Sequence, residues 1–387
     1  MESVLFITSG YPTEHVQRYT FLDNLVCAMK DMDVECTVVY PVSMTHALLR
    51  KEKLPPKEWV RTTRRKKAIK IYSPRMITLS TPGNMWLRRF ITRFNNAQFR
   101  RAVDSTIRKK HLKFTVAYGH FISPSGVTAA RIGKKHGCPS CLAYGENTSY
   151  TVDELGMERT KRLLSDIGAV VAVSSDNATF LKEHGIVRPE IIQVIPNAIN
   201  RDEFHPYDKQ KMREKFGFPQ DAFIVAFVGY FTDIKGSARL SAALEKFPDA
   251  YSIFIGNGEH APTCPNILFQ GNVQHDQIAE LLSAADIFVL PTLAEGCCNA
   301  IIEALACGLP VVSSNLPFND DILNDQCAIR IDTNDVDAIT GAIRKLKDAP
   351  ELRASMQAAA LAKAETLEIG QRARRILEWI EYCAQEK

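Results

Sequence analysis

The chain has 387 residues, of which 45% are hydrophobic and 24% are charged, and its net charge is +4. This length is sufficient for two domains, because single hydrophobic cores stop growing beyond about 250–300 residues. The composition excludes a membrane-spanning helix, because no run of about 18 apolar residues occurs. The start M-E-S-V-L-F lacks the basic region of a secretory signal, and the ten scattered cysteines indicate reduced thiols in the cytoplasm.

Positive charge is concentrated in one part of the chain. Residues 50–113 contain 20 lysines and arginines against three acidic residues, Glu52, Glu58 and Asp104. Such a basic region predicts an anionic partner, a class that includes nucleic acid, membrane surfaces and polyanionic substrates.

In the first half of the chain, short apolar runs alternate with helical patterns. A strand at 4–8 is followed by a helix at 19–30 and a strand at 35–40. After the basic region come predicted strands at 114–118, 141–144, 169–174 and 191–195, with a helix at 126–136. This βαβ alternation predicts a parallel sheet covered by helices.

The second half repeats the same pattern after a linker at 196–206. Its predicted strands lie at 224–228, 252–256, 286–290, 311–314 and 329–331, and the tail from 366 is helical. The predicted fold class is therefore α/β, with two Rossmann-like, doubly wound domains at 1–200 and 201–365 that face each other across a cleft.

The most informative segment is E-G-C-C-N-A-I-I-E-A-L-A-C-G, which begins at Glu295 and directly follows a predicted buried strand. We expect a helix to start near Gly296 and to end at Gly308, where glycine suits a left-handed cap. Glu295 then lies at the carboxyl end of a strand, beside the helix N-terminus, and Glu303 lies about two turns further on. Carboxylates beside an anion-binding turn suit a ligand with hydroxyls and phosphates, such as a sugar nucleotide.

Glu295 and Glu303, followed by A-L-A-C-G-L-P-V-V, resemble the E-x7-E signature of retaining GT-B glycosyltransferases of family four. The start V-L-F-I-T-S-G-Y-P-T resembles the polysaccharide-forming, teichuronic-acid-type branch of that family. The resemblance implies a UDP-sugar donor, with a GDP-sugar left open, and a lipid-linked or polysaccharide acceptor. It also implies that no cofactor or metal ion is needed, and that the helix at 366–387 crosses back to the first domain.

The resemblance extends to the loop after the strand at 224–228. Gly229 matches a position where the backbone approaches the donor diphosphate, and Lys235 with Gly236 matches the family's cation before the next helix. The sequence departs from the family at Tyr230, where an arginine usually shares the charge of the leaving diphosphate. Either another cation replaces that arginine or the donor is handled differently.

Two further turns are expected to contact the donor. Gly256 and Gly258 follow a strand in a pattern that nominally fits a dinucleotide fingerprint, but Pro262 and Pro265 oppose the helix which that motif requires. The family has a similar turn at its donor site. The segment F-Q-G-N-V resembles the family's F-x-G-x-V turn, which predicts that Asn272 and Val273 contact the nucleotide base. The other donor contacts implied are the amides of Gly296, Cys297 and Cys298.

The first domain is expected to supply the remaining contacts. His120 follows the strand predicted at 114–118, and the family has a histidine there that contacts the transferred sugar. Acceptor contacts are expected at the ends of two other strands, from Gly10 and Tyr11 in the loop 9–18 and from Glu146 and Asn147.

Several short motifs are expected to have no functional role. The D-x-D strings at 31–33 and 335–337 lie in a turn and at the start of a surface helix, so neither is expected to bind a metal ion. The C-x-x-C at Cys138 and Cys141 lacks a second ligand pair and leads into a strand.

A helical stripe beginning at residue 85 suggests a membrane contact. Apolar and basic residues alternate around this helix, so an interfacial helix on anionic lipid is one interpretation and a core helix with a solvated basic face is the other. The residues proposed for the membrane are Trp86, Arg88, Arg89, Phe90, Arg93 and Phe94. Nucleic acid is not expected, because no recognised binding module frames the basic region.

The sequence therefore predicts a cytoplasmic glycosyltransferase bound peripherally to the inner face of the membrane. Catalytic roles are expected for His120, Lys235 and Glu295. Two rival functions remain open, namely a GT-B-fold sugar-nucleotide epimerase and a non-catalytic sugar-nucleotide-binding subunit. Tyr230 favours the second rival, because it removes a cation from the expected site.

Overall fold

The computed structural model describes residues 2–13, 19–81, 83–146 and 149–386. The chain divides into two compact units. The first contains the residues up to 195 together with 370–387, and the second contains residues 196–369. The sequence had suggested boundaries at 200 and 366.

The first unit is an α/β layer structure built on an eight-stranded sheet of order β10-β9-β8-β7-β1-β2-β5-β4. All neighbouring strands are parallel except β4, which pairs antiparallel with β5 at the edge. Two short strands, β3 and β6, pair separately. The strands are β1 Ser3–Ile7, β2 Glu35–Val39, β3 Val42–Ser43, β4 Glu58–Thr62, β5 Ala68–Tyr72, β6 Arg75–Met76, β7 Val116–His120, β8 Ser140–Tyr144, β9 Ala169–Ala172 and β10 Ile192–Val194.

Helices cover this sheet because its central strands are apolar throughout and must be shielded from water. Strand β1 is flanked by β2 and β7, and its Leu5 and Ile7 are completely buried in a cluster with Phe99 and Val103. The helices are α1 Thr20–Asp31, α2 Met44–Arg50, α3 Met85–Lys109, α4 Val127–His136, α5 Tyr150–Leu155, α6 Met157–Leu164, α7 Ser175–Glu183 and α14 Ile369–Gln385, with short helical turns at Ile122–Gly126 and Pro189–Ile191.

The second unit has a six-stranded, fully parallel sheet of order β13-β12-β11-β14-β15-β16. The strand order changes direction at β11, and such switch points are where α/β sheets bind ligands. The strands are β11 Phe223–Val228, β12 Ala250–Ile255, β13 Ile267–Gly271, β14 Ile287–Leu290, β15 Val311–Ser314 and β16 Ala328–Ile331. The helices are α8 Lys209–Phe216, α9 Ser237–Leu244, α10 His275–Ser283, α11 Asn299–Ala306, α12 Val336–Asp348 and α13 Pro350–Glu365, with a short turn at Pro317–Asn319. The prediction of two doubly wound α/β units is confirmed.

The terminal helix α14 is anchored to the sheet of the first unit although it follows the second unit in sequence. The indole Nε1 of Trp379 donates a hydrogen bond to the carbonyl oxygen of Val170 in β9 at 3.2 Å. Arg375 donates to the carbonyl oxygen of Val194 in β10 at 3.3 Å. These contacts explain why residues 370–387 cluster with the first unit.

Two local predictions need correction, and one hairpin was not predicted. The basic region contains the antiparallel hairpin β4–β5, which strand patterns did not indicate because its outward positions are charged. Strand β7 lies two residues later than predicted, so His120 ends the strand instead of following it. Helix α11 begins at Asn299 and not near Gly296, although Gly308 does adopt the expected left-handed conformation, with a φ of +76°.

Backbone segments pack closely where β11 and β12 end in the second unit. Gly256 has a φ of +145°, and a Cβ atom there would lie 1.9 Å from the carbonyl oxygen of Gly229. The Gly256 amide donates to the carbonyl oxygen of Gly271 at 2.8 Å, which joins a third strand end to the same cluster. Gly256 is therefore required by its protein neighbours, whether or not a ligand approaches it.

We expect Gly256→Ala to lower the free energy of unfolding by more than about 2 kcal/mol, because both the backbone conformation and the clash are unfavourable. Gly341→Ala in α12 is the matched control, since nothing lies within 4 Å of that position. The control should stabilise the helix by about 0.5–1 kcal/mol. Urea unfolding followed by circular dichroism compares the two, and equal midpoints would contradict the packing argument.

Candidate functional site

Two loops at the carboxyl end of the second sheet are joined by an ion pair. Lys235 lies in the loop between β11 and α9, Glu295 lies after β14, and the Lys235 ammonium contacts Glu295 Oε1. The hydroxyl of Thr292 donates to the same oxygen at 3.0 Å. Burial opposes the charge on Lys235, but Cys298 and Glu295 outweigh it, so the pKa of Lys235 is raised. The ammonium therefore stays charged.

Backbone contacts fix the two loops against each other. The Leu293 amide donates to the carbonyl oxygen of Ile234 at 2.8 Å. Arg239 at the start of α9 donates to the carbonyl oxygens of Pro291 at 2.7 Å and Asp233 at 2.8 Å. These bonds connect the strand ends of β11 and β14, which are neighbours in the sheet. The Lys235–Glu295 pair is thus held by the scaffold on both sides.

The turn between Glu295 and α11 is largely buried. Cys297 and Cys298 are 9% and 2% exposed. The Asn197 side chain donates to Asn299 Oδ1 at 2.9 Å and to the carbonyl oxygen of Cys297 at 3.4 Å. The turn is therefore fixed at the start of a helix, a place where backbone amides and the helix dipole favour anions.

Glu303 lies in α11 and is partly exposed. Burial, together with the nearby Glu203 carboxylate, raises the pKa of Glu303 to about 7. No side-chain hydrogen bond to Glu303 occurs among the described residues. Glu303 therefore titrates in the physiological range, and a partner that donates hydrogen bonds would favour its ionised form.

The other predicted donor residues lie on the same edge of the sheet. Gly229 follows β11, Gly256 and Gly258 follow β12, and Asn272 and Val273 follow β13.

Tyr230 lies directly after Gly229, and its side chain is 62% exposed. The side chain at the position where the family has an arginine therefore projects into solvent and brings no cation.

In the first unit, His120 is enclosed by aromatic rings. Its side chain is 2% exposed, and its ring centroid lies 4.9 Å from that of Phe21 and 4.5 Å from that of Phe121. Burial, together with the charge of Arg372, lowers the pKa of His120 to about 3, so the imidazole is neutral at physiological pH. Its Nδ1 atom has no hydrogen-bond partner among the described residues. The rings of Phe21 and Phe121 thus surround the imidazole, and a contact between His120 and the transferred sugar stays a prediction.

Glu146 follows β8, the strand next to β7. Its Oε1 accepts a hydrogen bond from the Ile122 amide at 3.0 Å, while its buried Oε2 has no partner among the described residues. Burial raises the pKa of Glu146 to about 7, although the Ile122 amide and Thr151 oppose the shift. Asn147, the other residue predicted here, lies outside the described residues.

The two residues predicted after β1 have structural surroundings. A Cβ atom on Gly10 would lie 2.5 Å from the ring of Tyr19, so that ring packs directly on the Gly10 backbone. Tyr11 is 4% exposed, and its hydroxyl donates to Asp23. The Tyr11 hydroxyl thus has a partner within its own unit, and a contact between Tyr11 and an acceptor stays a prediction. The rest of the predicted loop, residues 14–18, lies outside the described residues.

The predicted membrane helix is α3, and its residues differ in their surroundings. Trp86 and Phe90 are 78% and 60% exposed. Arg88 instead donates to the hydroxyl of Tyr150 at 3.0 Å, and Arg89 donates to the carbonyl oxygen of Asp153 at 3.3 Å. These two arginines contact α5 while Arg89 also remains exposed, and their contact with lipid stays a prediction. Of the remaining predicted residues, Arg93 is exposed and Phe94 is half-buried.

The carboxylates of both D-x-D strings have structural partners. Asp31 accepts a hydrogen bond from Thr63 at 2.6 Å, and Asp33 pairs with Lys67 at 2.6 Å. Asp335 caps α12, and Asp337 contacts Lys246. Within the described ranges, no three His, Cys, Asp or Glu side chains converge as a metal site requires.

Among the described residues, no helix is both long enough and apolar enough to cross a bilayer.

Sequence reasoning missed three residues that build the site, namely Asn197, Arg239 and Thr292. Asn197 was assigned to a linker, and Arg239 was not distinguished from other helix residues. Thr292 lies three residues before Glu295, but its hydroxyl is identified as a ligand of that carboxylate only by the fold of the loop. The contacts of Asn197 with Asn299 and of Arg239 with Pro291 join segments distant in sequence, which no local pattern reveals.

The Lys235–Glu295 pair and Glu303 lie within a segment that matches a known protein family. Residues 208–363 match the family model described as Glycosyl transferases group 1. TuaC of Bacillus subtilis strain 168, named as a glycosyltransferase of teichuronic acid biosynthesis, is 26% identical over 327 residues, which cover 81% of this chain and 81% of TuaC. The resemblance to polysaccharide-forming glycosyltransferases is confirmed.

Two solved structures share the fold over nearly the whole chain. Sucrose-phosphate synthase of Thermosynechococcus elongatus has a TM-score of 0.79 at 15% identity and covers 100% of both chains. HepE of Anabaena, solved in complex with UDP-glucose, has a TM-score of 0.71 at 16% identity and covers 99% of this chain and 100% of its own. At such identities the likeness shows the fold alone, which is GT-B as predicted.

We expect a double-mutant cycle of Lys235→Met and Glu295→Gln to give a coupling energy of about 1–3 kcal/mol, because both groups are largely shielded from water. Their side chains are 24% and 11% exposed. The control cycle uses Lys215 and Glu280, whose lysine is 48% exposed, and its coupling should be much smaller. Chemical unfolding measures both cycles. Equal couplings would show that the Lys235–Glu295 pair does not hold the loops.

Proposed function

We propose that this chain transfers a sugar, with retention, from a nucleotide-diphosphate-sugar to a glycan hydroxyl. Its fold is GT-B, and its residues 208–363 match the glycosyl transferases group 1 model. The observation that carries this proposal is the Lys235–Glu295 pair beside the start of α11, with Glu303 on the same helix. A UDP-sugar is the expected donor, with a GDP-sugar as the alternative. The acceptor is a polysaccharide or lipid-linked glycan.

The donor would rearrange the charges at this site. Lys235 is neutralised by Glu295 in the structure, and a diphosphate near the loop would compete for the ammonium. Glu295 would then be released to accept hydrogen bonds from the hydroxyls of the sugar. The amides of Gly296, Cys297 and Cys298 lie beside it, and Glu303 would accept hydrogen bonds from the ribose diol.

The chemical step would need no protein nucleophile. The acceptor oxygen bonds to the anomeric carbon as the bond from that carbon to the diphosphate breaks, and the departing phosphate takes the acceptor proton. Attack from the face that the diphosphate leaves retains the anomeric configuration. Lys235 stabilises the charge that develops on the diphosphate, an electrostatic contribution typically worth about 10²–10³ in rate. We include no metal ion, because the D-x-D carboxylates already have protein partners.

A thermal-shift screen of nucleotide sugars identifies the donor, because a ligand that binds the native state raises the melting temperature. With that donor, Glu295→Gln should lower transfer to a lipid-linked glycan by at least about 100-fold. Glu280→Gln in α10 removes an ion-paired carboxylate outside the site and should retain activity within about twofold. Conversion of the free nucleotide sugar without any glycan would instead favour an epimerase.

Donor binding should depend on pH through Glu303, whose pKa is raised to about 7 by burial and Glu203. Because the ribose diol requires the carboxylate, binding should be constant above about pH 7 and weaken up to tenfold per pH unit below it. Glu303→Gln should abolish this dependence. Glu203→Gln should move the midpoint below 7, because it removes the like charge. Titration calorimetry with the selected nucleotide sugar tests this, and an unchanged profile in both variants would contradict the role of Glu303.

We also propose that the first unit binds an anionic membrane surface. The proposal assigns to one apolar face the exposed Trp86 and Phe90 of α3 together with Leu48 and Leu49 of α2, which are 81% and 71% exposed. It is supported by hydrogen bonds from Thr45 of α2 to Thr78 and from Leu79 to Asn95 of α3, which connect both helices to the segment 78–79. The chain is basic over residues 50–113, and basic plus apolar side chains suit anionic lipid.

Trp86→Ser and Phe90→Ser should each weaken binding to phosphatidylglycerol vesicles roughly tenfold, because each exchanges a buried aromatic contact with lipid for water. Tyr382→Ser is the control, since Tyr382 is an equally exposed aromatic residue, at 54%, on α14. Vesicle sedimentation at low and high salt measures the effect, which should be larger at low salt. If all three variants bind alike, the apolar face does not contact the membrane.

A further inference from the structure

Five arginines line one cavity of the first unit, which we call the arginine pocket. The cavity has a volume of about 400 Å³ and lies among α3, α4 and α6. Its arginines are Arg93 and Arg100 of α3, Arg131 of α4, and Arg159 and Arg162 of α6. None of the lining residues belongs to the sets assigned above to the donor, the transferred sugar or the acceptor. The pocket is therefore a separate feature of the molecule.

Within the described residues, no carboxylate forms an ion pair with the five arginines of the pocket, although the charge of Asp104 partly favours that of Arg100. Its lining acid, Asp166, pairs with Lys134 at 3.1 Å, and Asp104 pairs with Lys135 at 2.5 Å. The five guanidinium groups make no hydrogen bond or ion pair within the described residues, and the Nε atom of Arg159 is fully buried without a partner. The nearby carboxylates are thus already used, while the guanidinium donors remain available.

Like charges repel within the pocket. Burial, followed by the charge of Arg131, lowers the pKa of Arg100. Burial also lowers the pKa of Arg159, with further contributions from Arg93 and Arg162. Guanidinium groups are always charged in proteins, so the repulsion between them persists. The fold therefore places like charges close together, and their electrostatic repulsion is unfavourable. A bound anion would offset that repulsion.

We propose that the arginine pocket binds a phosphate-bearing anion with at least two negative charges. A guanidinium group binds phosphate oxygens through two parallel hydrogen bonds in a planar, bidentate geometry. Five guanidinium groups therefore suit an oligophosphate or clustered phosphate headgroups better than a single carboxylate. The volume is within the range of small-ligand sites. This proposal does not depend on the identity of the donor or on the transfer reaction.

The phosphate could come from a lipid headgroup or from a soluble oligophosphate. Helix α3 connects the pocket to the apolar face, since Arg93 follows Phe90 by three residues, a rise of about 4.5 Å. A bilayer that contacts Phe90 would therefore bring its headgroups close to Arg93. The same donors would accept a free phosphate chain, so the experiment must separate the two sources.

The test compares the full chain with a variant carrying Arg100→Gln, Arg131→Gln and Arg159→Gln. A charge-matched control carries Lys211→Gln, Lys345→Gln and Arg374→Gln, three exposed positions outside the pocket. Titration calorimetry with inorganic tripolyphosphate and sedimentation with phosphatidylglycerol vesicles are measured for each protein. The pocket variant should lose at least tenfold in tripolyphosphate affinity, while the control stays within about twofold.

Stability gives a second readout. Without any anion, the pocket variant should melt at the same temperature as the parent or higher, because repulsion between like charges is removed. A merely structural set of arginines would lower the melting temperature when it is replaced. If the glutamine variant does not fold, the variant with lysine at the same three positions is used. It keeps the positive charge but loses the bidentate geometry, so its affinity for tripolyphosphate should still fall several-fold.

The outcomes separate the sources. Loss of both tripolyphosphate and vesicle binding supports a phosphate site that takes lipid headgroups. Loss of tripolyphosphate binding alone supports a phosphate site for a soluble ligand. If the pocket variant loses no more of either activity than the charge-matched control, the arginine pocket is not a phosphate site and the proposal is overturned.

Discussion

The Lys235–Glu295 ion pair is the interaction on which the candidate site of this protein depends. It joins a loop after β11 to a loop after β14, and hydrogen bonds from Arg239 and Leu293 hold the same two loops together. Two opposite charges are thus kept close at a strand edge that is only partly open to water. Such a pair has a strong mutual attraction, yet each member can also bind an incoming group of the opposite kind. A diphosphate suits the ammonium, and sugar hydroxyls suit the carboxylate.

Charge in the first unit is arranged differently. Arg88 and Arg89 of α3 bond to α5, which fixes the two helices, whereas Arg93 and Arg100 of the same helix line the arginine pocket and form no ion pair within the described residues. One basic helix therefore contains both structural cations and cations that are available to a ligand. The exposed Trp86 and Phe90 lie in the N-terminal turns of the same helix. The proposals of anion binding and membrane contact both apply to one helix because its successive turns have different neighbours.

Much of the architecture could be predicted because it follows from local pattern. Apolar runs separated by helical patterns gave the parallel strands β1, β8, β11 and β15, since a strand buried on both faces has no polar alternation. The hairpin β4–β5 escaped prediction because it lies at the sheet edge, where its charged residues face water. His120 was placed at the correct strand end, but its burial against Phe21 depends on a residue about 100 positions away in the chain.

The sequence by itself determined the two α/β units, the importance of the segment from Glu295 to Glu303 and the family resemblance. Each of these depends on local patterns of residues with a fixed spacing along the chain. The tertiary structure alone decided which charges meet. In the folded chain, Lys235 pairs with Glu295, and the Tyr11 hydroxyl donates a hydrogen bond to Asp23. Arg88 contacts α5, and five arginines line one cavity. The physical reason is that electrostatic and hydrogen-bond contacts depend on distances of a few ångströms between segments far apart in the chain, and those distances exist only after folding.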